Sequence, residues 1–143
     1  MSQTTDLPAL AKICLSQQYR LPQRWAALAS GEVDFITRVL ADTARLQGWL
    51  RDAQQPDAQA LQQWCQGEPP VWVCKSALFL LQRMPAQPLP EDEHEVLAWL
   101  WVWVQIDDDG QFPAHLKSVL APRWPEVRAA WKTWQGQQVL ARG

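Results

Sequence analysis

A chain of 143 residues, 48% apolar and 20% charged, has the length of one domain and a composition that excludes intrinsic disorder. Its net charge of −2 excludes a basic surface of the kind that coats nucleic acid. No apolar run reaches the ~18 residues that cross a bilayer.

In chain order, Asp6 is placed to cap a first helix whose Leu10, Ile13, Cys14 and Gln17 recur at helical spacing. Pro22 suits the first turn of a second element carrying Trp25 and Leu28, which Ser30 and Gly31 end. From Glu32 to about Asp52, one stripe of Val33, Ile36, Leu40, Thr43, Leu46 and Leu50 predicts a long helix, with Glu32 and Asp34 at its positive end. Pro56 and Asp57 open a short helix with Leu61 and Trp64 on one side, closed by Gly67. Pro69 and Pro70 start a more apolar helix from Val71 to about Met84, which suits the centre of a bundle. Three prolines between Pro85 and Pro90 impose an extended connector.

Pro90 begins the next element, and Glu91, Asp92, Glu93 and Glu95 load its first turn with negative charge. The run Val96 to Ile106 carries Trp99, Trp101 and Trp103 at alternate positions, as a strand would. The acidic start after a proline and a length above ~10 residues favour helix, which is the assignment made. Asp107, Asp108, Asp109 and Gly110 form a turn. Pro113 starts a short helix to about Leu120, and Pro125 the last helix, with Val127, Trp131 and Trp134 on one face and fraying from Leu140 to Gly143. The expected architecture is all-α: a single compact, irregular bundle of about six to eight helices over residues 1–143 with a Pro-rich connector at 85–90.

Three cysteines, Cys14, Cys65 and Cys74, form neither a disulfide framework nor a Cys-x-x-Cys pair. With no basic and apolar secretory start, they point to a reducing, cytoplasmic setting. Cys14 and Cys74 lie among apolar residues, as buried cysteines do. His94 and His115 neighbour no Ser or Cys in a nucleophile motif, and six scattered glycines cradle no phosphate. Asp107, Asp109 and Gly110 match part of a calcium loop. With Gly110 in sixth place, however, the first and twelfth positions fall on Gln105 and Leu116, where carboxylates are required. Glu91-x-x-His94 has the spacing of half a di-iron site with no second copy, and reads as a solvated helix start. No enzyme, metal or cofactor is expected.

Ten tryptophans are the chain's main peculiarity. Most fit core-facing stripes, but Trp101 projects ~160° from the face shared by Trp99 and Trp103. Either their helix is central or one face meets a partner, and interfaces favour Trp. Charge also sorts by region. Between residues 91 and 111 stand Glu91, Asp92, Glu93, Glu95, Asp107, Asp108 and Asp109 with no Lys or Arg, whereas from residue 112 Lys117, Arg123, Arg128, Lys132 and Arg142 face only Glu126. Acidic and basic segments pair within the monomer, or the acids face a basic partner whose encounter they would steer. The C-terminal Arg123, Trp124, Arg128, Trp131, Lys132 and Trp134 make too thin a footprint for nucleic acid, and no dense basic cluster suits a membrane surface.

The functional expectation is a small cytoplasmic protein that binds another protein, occluding or escorting it as an immunity protein or secretion adaptor does. Trp99, Trp101, Trp103, Asp107, Asp108 and Asp109 are the candidate partner-binding residues, and the partner's basic surface is their expected match. The alternatives are a structural subunit covered by copies of itself, and, last, a metal-dependent enzyme using Glu91, His94 and Glu95.

Overall fold

Asp57 and Asp92 cap two helix starts and Gly48 ends one helix, while apolar arcs set what each helix buries. The computed structural model describes residues 7–52 and 55–142, the last four by backbone alone. It contains α1 (Leu7–Gln17), α2 (Arg20–Leu28), α3 (Val33–Leu46), α4 (Ala58–Trp64), α5 (Val71–Leu81), α6 (Glu93–Ile106), α7 (Ala114–Leu120) and, after one 3-10 turn (Ala121–Arg123), α8 (Trp124–Arg142). No strand occurs among the described residues, so the fold is all-α. None of the described helices is long and apolar enough to cross a membrane. The expected cap at Asp6 lies outside the described residues.

The helices group into two compact units, with boundaries after Gln17 and after Pro88. The terminal unit holds α1 and α6 to α8, and the middle unit holds α2 to α5.

In the terminal unit, α6 packs against α1, α7 and α8. Asp92, not Pro90, defines its start: the Asp92 carboxylate accepts from the Glu95 amide at 2.9 Å and satisfies one of the unpaired N–H groups of the first turn. The acids of this segment therefore do not share one solvated turn as expected. Glu91 and Glu93 are exposed, while Glu95 is fully buried and accepts a hydrogen bond from Trp99 Nε1 at 3.1 Å, one helical turn on. From Glu95 to Val104 every residue of α6 is buried, which resolves the strand-or-helix ambiguity in favour of a central helix. On α1, Leu10, Ala11 and Cys14 form the buried arc. Ile13, expected on the same stripe, falls outside that arc and is exposed. On α8, Val127 and Ala130 are buried.

In the middle unit, α5 packs against α2 and α3 and buries Val73, Cys74, Ser76, Ala77, Leu78 and Leu81. Asp57 caps α4 by accepting from the Ala60 amide at 2.9 Å, as its place before the helix predicts. The predicted third helix is six residues too long. It stops at Leu46 because Gly48 adopts φ +79°, the left-handed conformation of a helix C-cap. The amides of Gly48 and Trp49 then bond the carbonyls of Arg45 and Ala44 at 3.1 and 2.8 Å. Ile36, Leu40 and Thr43 of the expected stripe are buried, but Leu46, at 85% exposure, is not. Likewise α5 ends at Leu81, short of Met84. The connector then opens with a turn in which the Gln87 amide donates to the Met84 carbonyl at 2.9 Å.

Burial raises the thiol pKa of both Cys14 and Cys74 to about 12, which leaves almost no thiolate at neutral pH. Cys65 is half-buried and raised for the same reason. A disulfide exchange reagent at pH 8 is thus expected to titrate Cys65 alone in the native protein, and all three cysteines in guanidinium. Rapid native labelling of Cys14 or Cys74 would contradict their burial.

Candidate functional site

The six residues singled out from the sequence divide sharply. Trp99, Trp101 and Trp103 are 0%, 1% and 5% exposed. As a presented surface they are corrected: α6 is surrounded, so both faces of its tryptophan array meet protein. Trp101 packs edge-to-face on Trp131 and Trp134, with ring centroids 5.3 and 6.4 Å apart. Trp103 packs on Phe112 at 4.9 Å, and Phe112 on Trp124 at 5.4 Å. Trp101 and Trp103 are thus core residues edge-packed against half-buried partners, Trp131, Trp134 and Phe112.

Asp107, Asp108 and Asp109 are exposed and close the end of α6. Asp107 accepts from the Asp109 amide at 3.2 Å, and Asp109 from the Gln111 amide at 3.1 Å, which shapes the turn. Asp108 accepts from Arg128 Nε at 2.7 Å. At the other end of α6, Arg123 pairs with Glu93 and with Glu126. The acidic and basic segments therefore pair within the terminal unit, and Arg123 and Arg128 are not a basic strip offered to nucleic acid.

The loop acids titrate in opposite directions. The Arg128 hydrogen bond holds the Asp108 carboxyl below its ordinary range. The stabilisation this adds is present above the ordinary value and is lost as pH falls through the lowered one. Asp109 is raised, first by a hydrogen bond to Asp107 and then by desolvation, so its contribution holds below the ordinary value and is lost as pH rises through the raised one. Carboxyl carbon NMR is expected to show the Asp109 midpoint fall in Asp107→Ala and the Asp108 midpoint rise in Arg128→Ala. Unchanged midpoints would mean that the loop does not hold this geometry in solution.

Glu91, His94 and Glu95 do not converge, because Glu95 turns into the core while the other two are exposed. No group of three or more His, Cys, Asp or Glu is placed to hold a metal ion among the described residues.

A different surface lies in the middle unit, outside the six residues singled out from the sequence. On α5, Trp72, Lys75 and Phe79 project on one side at i, i+3 and i+7 and are half-buried. Trp49, which follows the Gly48 cap, meets Phe79 edge-to-face at 6.0 Å, and Lys75 Nζ lies 5.8 Å from the Trp49 ring centre. Arg83 covers the Phe79 face at 3.7 Å. At the other end of the strip, Trp72 meets Trp64 of α4 at 5.3 Å and 81°. Together with Leu50, Pro56 and Ala60 these two rings line an open cleft of about 280 Å³. Four half-buried rings with interspersed cations thus form a continuous face. One signal for it was present in the sequence: Lys75 marks the outward side of an otherwise apolar helix, and Trp72 and Phe79 share that side.

Compared with known proteins, the chain matches no family model, no curated protein and no solved structure.

Proposed function

We propose that this chain is a non-enzymatic protein-binding protein that occludes or escorts a protein partner in the cytoplasm, in the manner of an immunity protein or secretion adaptor. One observation carries the reading: the half-buried aromatic face of Trp49, Trp64, Trp72 and Phe79, flanked by Lys75 and Arg83. Tryptophan and arginine dominate interface hot spots because a rigid ring or planar guanidinium gains much contact for little lost freedom. Rings that are only half covered still have that gain available.

The test is affinity capture of the full chain from its native cells, followed by calorimetry with the purified partner. Trp72→Ala is expected to weaken binding by about 30-fold or more, in the range of a hot-spot truncation, while the protein stays folded by circular dichroism. Reversal of Asp107, Asp108 and Asp109 to lysine tests the other surface. Binding that falls with the reversal and ignores Trp72→Ala would place the interface on the terminal unit.

The exposed apolar side chains Val33, Phe35 and Leu46, at 48%, 53% and 85% exposure, favour a second reading, a self-assembling structural subunit. Concentration-dependent sedimentation with no captured partner would select it over the first.

A further inference from the structure

We propose that the cleft walled by Trp64 and Trp72 seats a lysine side chain presented by a basic segment of the partner, an inference that rests on the protein-binding reading above. The two indoles stand nearly perpendicular, at 81° with centroids 5.3 Å apart, and both line the cleft. Ring faces are the negative pole of the aromatic quadrupole, and tryptophan attracts cations most strongly. Asp52 lines the same cleft with Leu50, Pro56 and Ala60. A shallow depression that also reaches Pro56 continues it and adds Asp34, Asp57 and Arg38. The cleft itself thus carries one carboxylate, Asp52, and the adjoining depression two carboxylates against one guanidinium. The nearby Arg45 is held by the Asp42 carboxylate at 3.2 Å and the Asp52 carbonyl at 2.9 Å.

The same unit shows this chemistry already in use. Lys75 stands over Trp49 and Arg83 over Phe79, so the half-buried rings of this face collect cations wherever the chain supplies one. Among the described residues, no Lys or Arg lines the Trp64–Trp72 cleft itself. Its volume of about 280 Å³ is below the range of drug-sized ligand sites and suits one side chain. An acidic rim around an aromatic floor selects a long cationic side chain with an apolar stem over an anionic or purely apolar one.

The experiment follows the indole N–H resonances of the ¹⁵N-labelled full chain, assigned with Trp64→Phe and Trp72→Phe. The probes are the peptide acetyl-Gly-Ala-Lys-Ala-Gly-amide, its glutamate counterpart and choline. The lysine peptide is expected to move the Trp64 and Trp72 signals saturably. Asp52→Asn, an exposed change that spares the fold, is expected to weaken this by about fivefold, as is raising the salt to roughly 0.5 M. The glutamate peptide is expected to leave both signals in place. Equal shifts with the glutamate peptide, shifts indifferent to Asp52→Asn, or no shifts at Trp64 and Trp72 would overturn the proposal. Choline binding more tightly than the lysine peptide would replace the lysine by a free quaternary ammonium and overturn it too. A captured partner that depends on Trp49 but not on Asp52 keeps the protein-binding reading and rejects the seated lysine. Saturable lysine-peptide binding by a protein that captures no partner supports the seat and rejects that reading.

Discussion

Trp101→Ala is expected to cost about 4 kcal/mol of stability, in the range for deleting a large buried aromatic side chain. Trp101 is 1% exposed and packs against both Trp131 and Trp134 at the face between α6 and α8, so truncation removes both ring contacts and leaves a cavity beside them. Urea denaturation measures the loss. Trp131→Ala and the double variant complete a cycle expected to give a coupling of about 1 kcal/mol, the increment of an edge-to-face pair beyond its buried area. Any binding lost in Trp101→Ala is then loss of fold. A stable Trp101→Ala protein, down by less than about 1 kcal/mol, would show that α6 is not the centre of its unit.

Gly110→Ala is expected to cost about 3 kcal/mol, through two separable causes. Gly110 has φ +68°, a left-handed conformation that a Cβ disfavours. A Cβ there would also stand 2.6 Å from Trp124 Nε1 and 2.9 Å from Cε2 of the same ring. Moving the ring away would also disturb its edge-to-face contact with Phe112, which packs on Trp103. Gly48→Ala separates the causes. Its φ of +79° carries a similar conformational penalty, but nothing lies within 4 Å of its Cβ position, so it is expected to cost about 1 kcal/mol. Equal losses in the two variants would remove the close approach of Trp124 as a cause.

Much of the fold can be read along the chain because its punctuation is chemical. Asp57 stands where an N-cap stands, and the apolar runs after Pro70 and Glu93 are long enough to be helices, although Asp92 and not Pro90 sets the start of the second. The end of α3 was harder to see. Its stripe continues through Leu46 to Leu50 at helical spacing, while the feature that stops the helix is one glycine whose left-handed φ depends on where Trp49 goes next. The tryptophans mislead for a related reason. Periodicity says which residues share a side of a helix, but not how many sides are covered. Trp99, Trp101 and Trp103 spread around α6 and suggest a surplus ring for a partner, yet three helices pack against it. Trp72 and Phe79 share one side of α5, a helix whose apolar composition suits the centre of a bundle, and that side is the half-exposed one. The pairing of Glu93 with Arg123 and Asp108 with Arg128 follows the charge segregation of the sequence, although only the folded chain shows which acid meets which base.

The terminal unit draws α1 from before residue 18 and its other helices from after residue 88. On a ribosome, the middle unit is complete in sequence before any of α6, α7 or α8 has been made. Until those helices emerge, Leu10, Ala11 and Cys14 have no other helix of their unit to pack against, and the long loop closure that joins α1 to them is the slow, non-local step of assembly. Pulse alkylation of Cys14 during refolding is therefore expected to report when α1 is captured, the thiol reacting in the unfolded chain and becoming protected once it is buried against the later helices.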